Sequence, residues 1–286
     1  MSTPAPPIED HALIGDKRTC ALVTSHGTID WFCIPRFDGP AVFCSLLGNP
    51  DNGEWRMAPA SGVISSSRRY MGETLVLETD MTCAEGRVRV IDLMAPEPSG
   101  PCIVRIVEGL EGEVPMESVV AARFDYGRTR PWVRHLPQGA DLVSGPEALR
   151  IVSPVPVSRQ EGDITFCFTA RPGERVGFTL NHHASNEPAP AGPHHEQALA
   201  SALEWWESWS SRCPFEGPWR EPVVRSLITL KALSYAPTGA MLAAATTSLP
   251  EQPGGVRNWD YRYGWLRDAT FTLYAMMLGG YTREAV

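Results

Sequence analysis

The chain has 286 residues, of which 43% are hydrophobic and 20% charged. That is the balance of a soluble globular protein with material for one large core or two ordinary ones. A formal net charge of −8, with no basic stripe, argues against nucleic acid or anionic membrane as a partner, because both demand clustered Lys and Arg.

The first ten residues carry Pro4, Pro6 and Pro7 ahead of Glu9 and Asp10. They have neither a positive leader region nor an apolar stretch, so no signal peptide is predicted there. No apolar run approaches the ~20 residues that span a bilayer, and a cytoplasmic protein is expected. The seven cysteines (Cys20, Cys33, Cys44, Cys83, Cys102, Cys167 and Cys213) are scattered and odd in number. They never form a CxxC pair, so they read as ordinary buried thiols of a reducing compartment rather than a disulfide framework or a zinc site.

From about Thr19 to Leu180 the sequence reads as short strands broken by turns. Val88 and Val90 alternate with Arg87 and Arg89, and Cys102 to Val107 is a β-prone run. Ile164, Phe166 and Phe168 alternate with Thr165, Cys167 and Thr169, which places three apolar side chains on one strand face. Val176, Phe178 and Leu180 repeat the pattern after an Arg171-Pro172-Gly173 turn, and Ser25-His26-Gly27-Thr28 looks like a hairpin turn. The spacing predicts an antiparallel, all-β sandwich over residues 1–185.

Residues 186–196, with Pro188, Pro190 and Pro193, read as a linker. Over 197–286 the period becomes helical. Leu199, Leu203 and Trp206 fall on one stripe, with Trp205 and Trp209 beside it. A second helix follows Trp219, with Pro222 in its first turn and Val223, Leu227 and Leu230 at helical spacing. A third is predicted from near Asp268 to a Gly279-Gly280 cap. Phe271, Leu273, Tyr274, Met276, Met277 and Leu278 make it apolar on nearly every side. Such a helix needs cover all round, which three helices cannot give one another. The helical part reads as incomplete, with a large apolar patch left open.

Chemistry concentrates in Asn258 to Ala269, where Trp259, Tyr261, Tyr263 and Trp265 interleave with Asp260, Arg262, Arg267 and Asp268. Sugar rings lay their apolar C–H faces on aromatics. An Asp can accept from two adjacent hydroxyls, and an Arg can donate a planar fork. Inside an apolar cleft such bonds discriminate, since an unmatched partner stays buried and unpaired. The same residues also read as a helix-capping ion pair, Arg267 with Asp268, set on core aromatics, because an acid at a helix start suits the dipole. Trp31, Arg36, Phe37 and Asp38 read either as sandwich core with a contact to the helices or as a loop reaching a pocket mouth. His182-His183 and His194-His195 carry no accompanying Cys or carboxylate pattern, so solvated loops flanking the linker are expected rather than a metal.

Two motifs in this order and separation resemble the prokaryotic branch of glycoside hydrolase family 15, the glucoamylase and trehalase relatives. The first is Ile8-Glu9-Asp10-His11-Ala12-Leu13-Ile14-Gly15-Asp16, continuing through Gly27-Thr28-Ile29-Asp30-Trp31-Phe32-Cys33-Ile34-Pro35-Arg36-Phe37-Asp38. The second is Thr246-Thr247-Ser248-Leu249-Pro250-Glu251, continuing through Asn258 to Ala269. The resemblance implies a β-sandwich followed by the first helices of an α/α barrel (a six-hairpin toroid), truncated at this chain's end. It implies an exo-acting, inverting hydrolase of α-glucosidic bonds that releases glucose, with no cofactor and an oligosaccharide or trehalose as substrate. Arg267 and Asp268 are then the pair that grips the terminal glucosyl unit, with Trp265, Tyr261 and Trp259 as pocket wall. Arg262 is divided between pocket wall and helix packing. The general acid and base belong to later loops of such enzymes, and Glu204, Glu207, Glu221 and Glu251 sit on no matching motif. A non-catalytic carbohydrate-binding or interaction module is the competing reading.

Overall fold

The computed structural model describes residues 6–95, 100–160 and 163–284. Sixteen strands come before the first long helix. In chain order they are β1 (His11–Gly15), β2 (Cys20–Thr24), β3 (Thr28–Cys33), β4 (Ala41–Phe43), β5 (Glu54–Pro59), β6 (Ser65–Tyr70), β7 (Leu77–Cys83) and β8 (Gly86–Met94), followed by β9 (Cys102–Gly112), β10 (Val114–Ala121), β11 (Trp132–Leu136), β12 (Gly139–Ser144), β13 (Glu147–Val152), β14 (Ser158–Gln160), β15 (Asp163–Ala170) and β16 (Arg175–Ala184). The short turn α1 (Phe124–Gly127) and two 3-10 turns, Ser45–Leu47 and Pro50–Asn52, interrupt them. They form two eight-stranded sheets, ordered β1-β2-β3-β5-β10-β15-β14, with β4 on β3, and β11-β12-β13-β16-β9-β8-β7-β6. Every strand pairing is antiparallel.

The alternation read from the sequence fixes which faces meet. Ile164 and Phe166 from the first sheet, and Val88, Val90, Phe178 and Leu180 from the second, are fully buried in one shared core. Cys102 to Val107 does not alternate, and the structure supplies the reason: β9 is covered on both faces. Ile103 and Val107 face the sandwich interior. Val104 and Ile106 face outward beneath Ala198, Leu199 and Ala202 of the next helix.

One charged group crosses the sandwich. Arg105 on β9 is fully buried and donates to Asp92 on β8 at 2.7 and 3.3 Å. Its other donors reach the carbonyls of Trp55 (2.9 Å) and Gly27 (2.8 Å) in the opposite sheet. A buried charge is tolerated only when paired and hydrogen-bonded in this way.

The helices follow: α2 (His195–Ser210), α3 (Arg220–Ala232) and, after a short hairpin of β17 (Thr247–Pro250) and β18 (Asn258–Asp260), α4 (Leu266–Leu278). Trp206 and Trp209 of α2, Val224, Leu227 and Ile228 of α3, and Met276 of α4 share one small core. The helix expected near Asp268 starts two residues earlier, at Leu266, and ends at Gly279 with Gly280 in the left-handed region (φ +85°). Its cover is far from complete. Thr272 and Met276 are buried, whereas Phe271, Tyr274, Met277 and Leu278 are 66, 57, 49 and 69% exposed. Among the described residues Met276 packs in the core made by the α2 tryptophans, α3 and Tyr281, so one face is buried and the rest is the open apolar patch that the sequence predicts.

The histidine expectation is corrected in part. His182 and His183 lie within β16 rather than in a solvated loop, because the strand continues to Ala184 in register with β13. His182 pairs with Glu147, and His183 is buried with Nδ1 on the Ala184 carbonyl. His195 is likewise in an element rather than a loop, as the first residue of α2, whereas His194 is exposed at its N-cap, where the ring accepts from the Glu196 amide. No group of three or more metal-ligating side chains occurs among the described residues.

Candidate functional site

The second motif forms a compact knot ahead of α4. The chain leaves α3 at Leu233 and folds back so that the Leu242 amide returns to the Leu233 carbonyl. Ala243 and Ala244 donate to the carbonyls of Tyr263 and Tyr261. β17 pairs with β18 through a bulge, with Ser248 in the left-handed region (φ +64°). The 261–265 segment is thereby held on both sides before Trp265, at the N-cap, launches α4.

Three predicted site residues come together here. The Trp265 ring lies 5.4 Å from Tyr261 and 6.2 Å from Trp259, the second contact edge-on. Their polar edges are tied down, Trp259 Nε1 to Glu251 Oε1 at 3.1 Å and Trp265 Nε1 to the Asp260 carbonyl at 3.3 Å. Trp259 remains half-exposed. Trp265 and Leu266 also line a cleft of about 770 Å³ that runs past Met241 and Lys231.

Arg267 and Asp268 stand apart from this cluster. Arg267 donates to Asp268 at 3.2 Å, and both reach solvent, Arg267 far more than Asp268. Among the described residues neither makes a capping hydrogen bond to the helix backbone. The pair is thus free to offer its remaining donors and lone pairs to a ligand.

Arg262 is turned the other way. It is buried and chelates Asp260 at 2.9 and 2.7 Å, and a further nitrogen reaches the carbonyls of Phe37 (3.3 Å) and Gly39 (2.8 Å). Burial pushes the Asp260 carboxyl up, but its bonds with Arg262 outweigh this and hold it below the usual carboxylate range. Sequence reasoning missed this anchoring role. The available signal was an acid and a base at i and i+2 in a non-helical stretch, both needing partners once the Arg is buried.

The first motif meets the second directly. Trp31 is fully buried and its Nε1 donates to the Ala245 carbonyl at 2.9 Å. Phe37 is buried edge-on to Tyr235, at 6.3 Å. Arg36 and Asp38 point outward and pair at 2.7 Å. Asp16, further along this motif, closes the β1–β2 turn by accepting from the amides of Arg18 (2.8 Å) and Thr19 (2.9 Å).

Comparison with known proteins follows the same two motifs. Residues 1–158 match the family described as "Trehalase-like, N-terminal", and residues 217–286 match "Glycosyl hydrolases family 15". A trehalase of Mycolicibacterium smegmatis is 32% identical over all of this chain and 47% of its own length. A trehalase of Thermoplasma volcanium is 31% identical over 98% of this chain and 46% of its own, and Trehalase 1 of Sulfolobus acidocaldarius is 32% identical over 95% and 46%. The chain therefore spans about half the length of the curated relatives it matches. A bacterial glucoamylase complexed with acarbose has the same fold, with a TM-score of 0.65 at 13% identity over 99% of this chain and 50% of that one. With the first match spanning residues 1–158, more than half of the chain, and the second falling on the segment that carries Trp259 to Asp268, the chain belongs to the trehalase-like family of the first description, and its residues 217–286 are similar to glycosyl hydrolases family 15.

Proposed function

We propose that these residues supply the sandwich and the glucosyl grip of an exo-acting, inverting hydrolase of α-glucosidic bonds, whose general acid and base lie outside them. The observation that carries the reading is the Arg267–Asp268 pair, solvent-facing and spared from helix capping, directly after the Tyr261–Trp265 aromatic cluster. A carboxylate accepting from two hydroxyls and a guanidinium fork donating to them would fix one ring by its hydroxyls farthest from the scissile bond. The ring is then aligned for attack by a water that the distant base activates. Trehalose is the first substrate to assay, because the similar proteins are trehalases. A cytoplasmic setting fits seven free cysteines, six of them buried.

Asp268→Asn in the full-length protein tests this. Each charged hydrogen bond contributes on the order of 1.5–3 kcal/mol, so kcat/KM for the α-glucoside should fall at least about tenfold, with the melting temperature unchanged. Unchanged turnover per folded molecule together with a lowered melting temperature would assign Asp268 to the helix start and remove it from the site.

A further inference from the structure

The loop of the first motif and the segment before α4 enclose a second concavity that the glucosyl grip does not use. It holds about 220 Å³ and is walled by Phe37, Tyr235, Leu242 and Tyr263, with Arg36 and Asp38 on its rim. Phe37 and Leu242 are buried, whereas Tyr263, which also lines the space, is half-exposed. The space lies below the ~300–1,000 Å³ typical of drug-sized ligands, so it fits one ring and not a chain.

The walls are built before any ligand arrives. The Phe37 amide donates to the Arg18 carbonyl at 2.9 Å, and the Gly39 amide to the Arg36 carbonyl at 2.9 Å. A Cβ on Gly39 would fall 2.0 Å from the Ile34 carbonyl oxygen, so the loop closes this tightly because residue 39 is glycine. Arg262 fixes the opposite wall against the same loop through the Phe37 and Gly39 carbonyls. A pocket held this way spends little of its binding energy on ordering itself.

Its chemistry repeats that of Arg267 and Asp268. Arg36 engages Asp38 through two of its nitrogens, at 2.7 and 3.1 Å, and keeps further N–H donors facing solvent. A guanidinium fork beside a carboxylate matches vicinal hydroxyls, donating to one oxygen and accepting from the next. The tyrosine rings offer the apolar face that a pyranose C–H surface needs, with hydroxyls at the edge.

We propose that this pocket is a second sugar subsite, formed jointly by the two motifs and taking a single hexose-sized ring of a glucoside, with Arg36 and Asp38 as its hydroxyl grip. It rests on the reading that the protein acts on α-glucosides, and adds a binding position supplied by the sandwich.

The test is a titration of the full-length protein with glucose, trehalose and maltose, followed through backbone amide resonances. Shifts at 36–38 and 263–264 are expected. Asp38→Asn and Arg36→Lys should each weaken them at least about tenfold, the worth of one charged hydrogen bond. Arg36→Lys keeps the charge and loses only the fork, so intact loop resonances in that variant separate lost grip from lost fold. Asp268→Asn should leave these shifts in place. Shifts confined to 265–268 overturn the second subsite and leave the hydrolase reading standing. No shift at 36–38 or 263–264 with any of the three sugars also overturns the subsite, and the hydrolase reading is then judged by the full-length kinetics alone.

Discussion

Phe166 and Phe271 are the same residue in two regions that treat it in opposite ways. Phe166 lies fully buried between two sheets, edge-on to Phe178 with ring centroids 5.2 Å apart. Phe271 lies 66% exposed on α4, a helix that also carries Leu273, Tyr274, Met276, Met277 and Leu278. The sheets close on each other and cover their own apolar faces. The helices share a small core with part of the second sheet, and α4 contributes Met276 to it with little else of its face. Apolar composition therefore sets how much cover an element needs, and its neighbours decide how much it receives. The open face of α4 exceeds what scattered surface residues explain, and contiguous apolar surface of this kind marks a contact still to be made.

The strongest way to break this contrast is to attack the charge that ties the sheets together. Arg105→Met leaves Asp92 fully buried without its cation and strips two carbonyls in the opposite sheet of their donor. Breaking a buried pair from one side costs about 3–5 kcal/mol, whereas replacing both partners by apolar residues of similar volume is often neutral. Urea unfolding should show a loss of that size for Arg105→Met, with most of it restored in Asp92→Leu/Arg105→Met. A loss under ~1 kcal/mol would mean that the sheets' closure owes little to this crossing, since exposed surface changes stay near that range.

The sandwich was legible because its strands alternate: Ile164, Phe166 and Phe168, or Val176, Phe178 and Leu180, can face one way only. What alternation could not show is the second layer over β9, where Ile103 and Ile106 serve opposite faces. The aromatic cluster of Trp259, Tyr261 and Trp265 was visible as a composition anomaly. The anchoring by Arg262 showed only as its spacing from Asp260, because its other partners are backbone carbonyls at Phe37 and Gly39, more than two hundred residues away, and carbonyls carry no sequence signature. The histidine pair 182–183 was misplaced because the proline linker beside it obscured a strand that runs to Ala184.

At the junction of the two regions, Asp16 provides a finer measure. Burial pushes its carboxyl up from 3.8 to about 6, against the opposing pull of the Thr19 and Arg18 amides and the Arg18 charge. Its Oδ2 has no partner among the described residues. The sign follows from comparing proton binding in the two states. Below about pH 4 both states are protonated and Asp16 is neutral in its effect. Between about pH 4 and 6 the unfolded chain releases its proton first, which favours unfolding, and above about pH 6 the full penalty of an ionised buried carboxylate applies. Asp16→Asn keeps an oxygen for the two amides and removes the charge. It should raise the unfolding free energy by about 1–3 kcal/mol at neutral pH and by nothing near pH 4. The measurement is the stability difference between variant and parent across that range, and a difference that does not change with pH would show that Asp16 ionises as freely folded as unfolded.

The smallest expected effect is the one that separates the two regions most sharply. Phe271→Ser on α4 removes an aromatic ring that the described residues leave mostly in water. No cavity opens and no packed contact of the small helical core is lost, because that core is built from Met276, Leu227, Ile228 and the α2 tryptophans. The unfolding free energy should stay within about 0.5 kcal/mol of the parent, as for surface changes away from packed or hydrogen-bonded features. Self-association should respond instead. An exposed patch containing Phe271, Tyr274 and Leu278 gives two copies of the chain apolar surface to bury against each other. Static light scattering at matched concentration should therefore show less association in Phe271→Ser than in the parent, and less still with Leu278→Ser added. A stability loss above ~1 kcal/mol, large for a mostly exposed side chain, would show that Phe271 is packed in solution. The contrast between the self-covering sheets and the uncovered helix would then fail at that residue.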